Sequence, residues 1–319
     1  MKEKNNPQNK IWKYAIIFLT VGFLMSVAFN VYLFWGKQNN IEAGIGKIND
    51  KYNLLNPARK FINQDDLIIN FQPLRDYLKD KYEKDSNVSI YFEYQPTGSN
   101  ISLNNDAEFY PASLLKVPVA MAVARKIEKG EWKWNNELVL MSTDKDDKFG
   151  TLYREPTTST HTIEDLLERS LSESDNTAHF MLVRNLEMKE VQEVYDHMGL
   201  PGFLKTEGSL SAKKYSVMFR ALHNSSYLTE DNSQKLLSYL ANSPFDDYIQ
   251  SILPKDIIFA HKIGVDVEKK VYLDSGVIYA QNRPYIITIM TKNKDEKNAK
   301  KIMADISEKV YNYVKEYRE

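Results

Sequence analysis

From Tyr14 to Gly36 the chain carries no charged side chain (YAIIFLTVGFLMSVAFNVYLFWG), and this run decides where everything after it can fold. About 20 apolar residues at a rise of about 1.5 Å each match a hydrocarbon layer about 30 Å thick. Trp12, Tyr14, Tyr32 and Trp35 stand near its ends, as interfacial aromatics do. Lys2, Lys4, Lys10 and Lys13 precede it against a single Glu3, while the following segment is diluted by Asn and Gly. This excess predicts a cytoplasmic tail at 1–13 and a single membrane-spanning anchor in lipid at 14–36. The remainder is then held outside, at the cell membrane. A cleaved signal peptide would need a shorter apolar region ending in small residues, which FNVYLFWG does not offer.

Residues 37–60 are polar and contain Gly44, Gly46 and Pro57, the composition of a stalk. Residues 61–319 show no second linker and no repeat, and are read as one domain. With 43% hydrophobic and 12% aromatic residues in the chain, a proper core is available. A net charge of −1 argues against a nucleic-acid partner, which calls for a basic excess. The absence of cysteine excludes disulfides, thiolate metal sites and a cysteine nucleophile. His161, His179, His197, His223 and His261 are scattered without HxH or HxxxH spacing, so neither metal nor cofactor is expected.

Leu67, Phe71, Leu74 and Leu78 follow helical spacing within 66–81. Val88, Ile90, Phe92 and Tyr94 alternate, and Pro96-Thr97-Gly98 leads to Ile101–Leu103, a hairpin. Residues 113–253 read as helical, for example at 113–129 and 163–171. Strand-like runs follow at 257–265, 271–280 and 284–292, with a turn at Gln281-Asn282-Arg283. A last helix carries Ile302, Ile306, Val310 and Val314 on one stripe. Two early strands, three late ones and a helical insert predict a mixed α+β domain whose helical lobe faces an antiparallel sheet across a cleft.

Three motifs fall on this layout. Ser113-Leu114-Leu115-Lys116 is an S-x-x-K at a helix start, Ser174-Asp175-Asn176 follows a helix, and His261-Lys262-Ile263-Gly264 sits on the first late strand. Ser113 and Lys116 are one helical turn apart and share a face. A serine hydroxyl needs a base to become a nucleophile. A lysine is that base only with a lowered pKa, which burial and a second cation such as Lys262 would supply. The Lys262 charge also suits a substrate carboxylate. Ser174 can pass a proton to a leaving nitrogen, and Asn176 can hold Lys116 and a substrate amide. Asp175 is read as structural, bonding loop amides. The backbone N–H groups of Ser113 and Val265, which follows Gly264, can form an oxyanion hole. Tyr153 is a candidate wall of the cleft. Each motif alone is weak: Ser142–Lys145 and Ser211–Lys214 repeat the first spacing and read as solvated turns, and Lys148-Phe149-Gly150 repeats the last. Their order and placement carry the signal.

In this order and placement the chain resembles the class A β-lactamase and penicillin-binding protein superfamily of serine acyl-enzymes. The resemblance covers about residues 61–319 and extends to the S-D-N-T-A form of the second motif, Ser174 to Ala178. It implies a five-stranded antiparallel sheet with helices on both faces and a helical lobe. It also implies Ser113 as nucleophile, Lys116 as base, Ser174 and Asn176 as proton-transfer and positioning groups, and Lys262 as carboxylate anchor. Gly264 and Val265 would border the substrate, a β-lactam or a D-alanyl-D-alanine-type peptidoglycan stem peptide.

Two departures stand out. The family places Thr or Ser between the Lys and Gly of the third motif, where the hydroxyl binds the substrate carboxylate; here it is Ile263. The span from Met198 to Ser211 is too short for a full omega loop, and its one carboxylate, Glu207, is read as a surface group preceding the Ser211 N-cap. Slow β-lactam hydrolysis, a peptidase or esterase, and a cell-wall binding or sensing protein with a degenerate site all stay open.

Overall fold

The computed structural model describes residues 25–26, 30, 51–56, 66–205 and 208–317. The chain divides into two units, Met1–Asn53 and Leu54–Glu319. In the first, Met25, Ser26 and Asn30 are helical, and the rest of the expected anchor lies outside the described residues. No helix among the described residues is long and apolar enough to cross a membrane. The second unit includes Leu54, at the end of the expected stalk; it is buried, and its carbonyl accepts from His223 Nδ1 at 2.9 Å and Tyr279 Oη at 2.6 Å. The expected domain start at residue 61 falls outside the described residues, as does Glu207.

The sheet contains β1 (Val88–Tyr94), β2 (Ser99–Leu103), β5 (Phe259–Asp266), β6 (Val271–Ile278) and β7 (Tyr285–Lys292). Their order is β2-β1-β7-β6-β5, with every neighbouring pair antiparallel. The early hairpin thus enters a sheet with the late strands through the β1–β7 pairing, which runs from Val88↔Thr291 to Tyr94↔Tyr285. Strands β1 and β6 are buried at every residue, because both faces of the sheet are covered. Alternation along β1 therefore marks a preference for one layer, not exposure of the other.

One layer is formed by α1 (Gln72–Tyr82) and α8 (Glu296–Glu316), which bury Phe71, Leu74 and Leu78 with Met303, Ile306, Val310 and Val314 over Phe92, Ile287 and Ile289. Helix α1 starts later than the apolar spacing suggests. Pro73 lacks an N–H and would clash with the preceding turn, so it is accommodated only at the helix start. The other face meets α6 (Ala212–His223) and α7 (Glu230–Ala241). Together with them, α2 (Lys116–Glu128), α3 (Ile163–Leu171), α4 (Asn176–Arg184) and α5 (Met188–His197) share the larger apolar core. Within the helical insert, β3 (Glu137–Val139) pairs with β4 (Thr160–Thr162). Strands of three residues give no usable alternation, so this small sheet was not legible in the sequence.

Ser211 is not on a solvated turn. It is 1% exposed, and its hydroxyl accepts from Lys214 N at 3.5 Å as the N-cap of α6. Ser142 does lie on an exposed turn, and the neighbouring Lys145 donates to Glu155 O at 2.6 Å.

Candidate active site

Ser113 lies in a short 3-10 turn, Ala112–Leu115, that runs directly into α2 at Lys116. With three residues per 3-10 turn, side chains at i and i+3 eclipse, which suits the Ser113–Lys116 spacing better than an ideal α-helix does. Two contacts fix the turn. Tyr215 Oη, reaching from α6, donates to Leu114 O at 2.8 Å. Gly264 on β5 lies against it so closely that an added Cβ would come within 2.8 Å of Pro111 O. Ala112, the residue before Ser113, has φ +45°, a left-handed conformation that costs a non-glycine residue of order 1–3 kcal/mol.

Gly264 is thus a close-approach position, and it is not among the residues that line the cavity. Gly264→Ala is expected to cost about 1–3 kcal/mol through overpacking. An unaltered urea midpoint would contradict this.

Lys116 is 2% exposed, and its amine is the hub of the site. Nζ lies within hydrogen-bond reach of Ser113 Oγ at 3.2 Å, Ser174 Oγ at 3.1 Å, Ser174 O at 2.6 Å and Asn176 Oδ1 at 2.6 Å, more partners than its protons can serve at once. Burial pulls its pKa down to about 7, against the opposing charges of Asp175 and Asp146. Burial, one of the two causes expected, is the largest, and the two ammonium groups repel each other, so that the Lys116 charge also depresses Lys262.

The second motif folds as a tight bend between α3 and α4. Ser174 has φ +59°, which turns both its carbonyl and its hydroxyl toward Lys116. Asp175 is fully buried and caps α4 by accepting from Ala178 N at 2.9 Å. Its other oxygen accepts from Thr151 N at 2.7 Å and Leu152 N at 2.8 Å, so one carboxylate ties the 146–152 loop to the helix start. Gly150, with φ +86°, passes so near that a Cβ would sit 2.1 Å from Asp175 Oδ2. The bonding role expected of Asp175 is what the geometry shows. Asn176 Nδ2 donates to Asp146 Oδ1 at 2.8 Å, which fixes the amide with Oδ1 toward Lys116.

On β5 the side chains alternate between layers. Ile263 belongs to the apolar layer of α1 and α8, is 3% exposed, and does not line the cavity. A hydroxyl there would be placed in that layer. His261 is held by Asp274, Nδ1 to Oδ1 2.8 Å, a buried strand pair. Lys262 is 1% exposed, with Nζ 5.7 Å from the Phe245 ring centroid and without a hydrogen-bond partner among the described residues. Burial and the Lys116 charge hold its pKa well below the usual lysine range, against Asp274. It is not among the residues that line the cavity.

A cavity of about 420 Å³ opens over Ser113 and Lys116. Asn176, Val265 and Phe149 line it, as do Tyr110, Asp146 and His179. Tyr153 does not line it; its hydroxyl accepts from Arg154 Nε at 3.1 Å. Among the described residues, sequence reasoning missed Asp146 and His179. His179 stands one helical turn beyond Asn176, a spacing that could have found it. Asp146 comes from a loop distant in sequence, and only the fold brings it in.

Comparison with known proteins places the fold. The β-lactamase VEB-1 of Pseudomonas aeruginosa is 23% identical over 263 residues, covering 72% of this chain and 86% of its own. The structure of PBP-A aligns with TM-score 0.69 and 20% identity, over 77% of this chain and 97% of that one. A β-lactamase from Sphaerobacter thermophilus aligns with TM-score 0.70 and 21% identity, over 79% and 100%. The model of the Beta-lactamase enzyme family matches residues 72–314, and the chain belongs to that family.

Proposed function

We propose that the chain is a membrane-anchored, outward-facing serine hydrolase that forms an acyl-enzyme on Ser113 with a β-lactam or a D-alanyl-D-alanine-type amide. The observation that carries this reading is the Lys116 amine, 3.2 Å from Ser113 Oγ and with a pKa of about 7. At neutral pH about half of it is the free base. It takes the Ser113 proton as Oγ attacks the amide carbonyl carbon. Backbone N–H groups of Ser113 and Val265, both at the cavity, receive the developing oxyanion. Collapse breaks the C–N bond, and the proton travels from Lys116 through Ser174 Oγ, 3.1 Å away, to the departing nitrogen. Water then releases the acyl group as a carboxylic acid and restores the serine. A variant of PBP-A forms an acyl-enzyme complex with penicillin G, which supports the same first step here. The uncharged run 14–36 supports the anchor.

Mass measurement of the full chain after incubation with benzylpenicillin tests the proposal. A covalent adduct is expected with the native chain and not with Ser113→Ala. Rapid loss of the adduct marks β-lactam turnover, and persistence marks a slow peptidase or penicillin-binding mode. No adduct under any condition would leave a non-catalytic cell-wall binder.

A further inference from the structure

Two of the oxygens around the Lys116 amine can only accept a hydrogen bond: Ser174 O and Asn176 Oδ1, each 2.6 Å from Nζ. Ser113 Oγ at 3.2 Å and Ser174 Oγ at 3.1 Å are hydroxyls, which can also donate. A neutral amine has two N–H bonds and one lone pair. With its N–H bonds on the two carbonyl oxygens, the lone pair is left to the two hydroxyls, the direction in which a base must face. This holds only while Asn176 presents its oxygen, because a flipped amide would set Nδ2 against the amine, donor to donor.

Asp146 prevents the flip. A carboxylate only accepts, and its Oδ1 takes Asn176 Nδ2 at 2.8 Å, so the amide nitrogen turns to Asp146 and the oxygen to Lys116. The carboxylate is itself held, since Oδ1 also accepts from Lys148 N at 3.0 Å. The Asp146 backbone is fixed apart from its side chain: N donates to Thr177 Oγ1 at 3.0 Å, and O accepts from the same hydroxyl at 3.2 Å. Asp146 lines one cavity with Ser113 and Lys116.

The charged and titratable groups around the amine come from three elements. Asp175 at the start of α4 and Asp146 on the 146–152 loop favour the protonated amine, while Lys262 on β5 repels it. His179 on α4 stays neutral, because burial and the charges of Lys116 and Lys262 push its pKa down to about 3. Asp146 is joined to the amine by a single side chain, Asn176. We propose that Asp146 is a positioning residue for acylation: through Asn176 it sets the direction of the Lys116 lone pair, and its negative charge sets how tightly the amine holds its proton. The inference rests on the acyl-enzyme reading and adds to it a residue outside the three motifs.

The test compares the native chain with Asp146→Asn, which keeps the shape and an acceptor oxygen but loses the charge, and with Asp146→Ala, which loses both. Second-order acylation by benzylpenicillin is followed across pH. The native rate climbs through about pH 7. Without the charge the protonated amine is less favoured, so the climb in Asp146→Asn moves toward acid, by about one pH unit. The alkaline plateau of Asp146→Ala falls about tenfold or more, as the amide loses its fixed side. A merely structural role would lower the plateau and leave the climb where it was. Nuclear magnetic resonance titration of the lysine-labelled full chain reads the same midpoint without substrate, the Lys116 signal being the one absent from Lys116→Met. A midpoint in Asp146→Asn within about 0.3 pH unit of the native one, or moved toward alkali, overturns the proposal. So does an Asp146→Ala plateau within about twofold of the native one. If the amine titrates as expected but the native chain forms no adduct, the acyl-enzyme reading falls and the acylation role with it, while the hold of Asp146 on the amine stands.

Discussion

Lys116→Met is expected to slow acylation of Ser113 by about 10²–10⁴-fold, the contribution of a positioned general base. Methionine nearly matches the length of the lysine stem and adds no charge to a site where the residue is 2% exposed, so the loss reports chemistry more than packing. The pH profile of the native chain gives an independent reading. The base is the neutral amine, and burial lowers its pKa to about 7. The acylation rate should therefore be low in acid, climb through about pH 7, and level off above it. An unperturbed lysine would still be climbing near pH 10. Stopped-flow measurement with a chromogenic cephalosporin checks both arms. A methionine variant retaining more than about a tenth of the rate, or a flat native profile between about pH 5 and 9, would remove Lys116 from this role.

The second large effect is on stability. Asp175→Ala should cost about 3–5 kcal/mol, because it leaves the N–H groups of Ala178, Thr151 and Leu152 without their acceptor in a closed setting. The individual penalties do not add fully, which is why the range is not higher. Gly150 lies against the lost carboxylate, so the loop would also lose its packing partner. Acylation should fall in parallel, since Ser174 and Asn176 flank Asp175 and hold the Lys116 amine. Urea unfolding followed by circular dichroism measures the first effect. A shift below about 1 kcal/mol would mean that the loop and α4 hold together without this residue.

Much of the site was legible because its parts are local. Ser113 and Lys116 are joined by one turn of backbone, and Ser174 to Asn176 form a single bend, so short-range geometry nearly determines their contacts. The sheet was legible for the same reason: its late strands are joined by short turns, and the hairpin β1–β2 has its own alternation. What remained hidden depends on which layer a side chain meets. Ile263 sits in the motif yet packs with α1 and α8, and Lys262 beside it is buried. Tyr153 is well placed along the chain but pairs with Arg154, while Phe149 and Tyr110 line the cavity.

From the amino acids alone follow the uncharged run, the lack of thiols, the order of the three motifs and the alternation of the strands. Each of these is a property of composition or of near neighbours. Only the tertiary structure decided that Lys116 is buried with a lowered pKa, that Asp146 orients Asn176, and that His179 lines one cavity with Ser113. Desolvation and long-range contacts depend on how distant segments close over one another, and no stretch of sequence contains that information by itself.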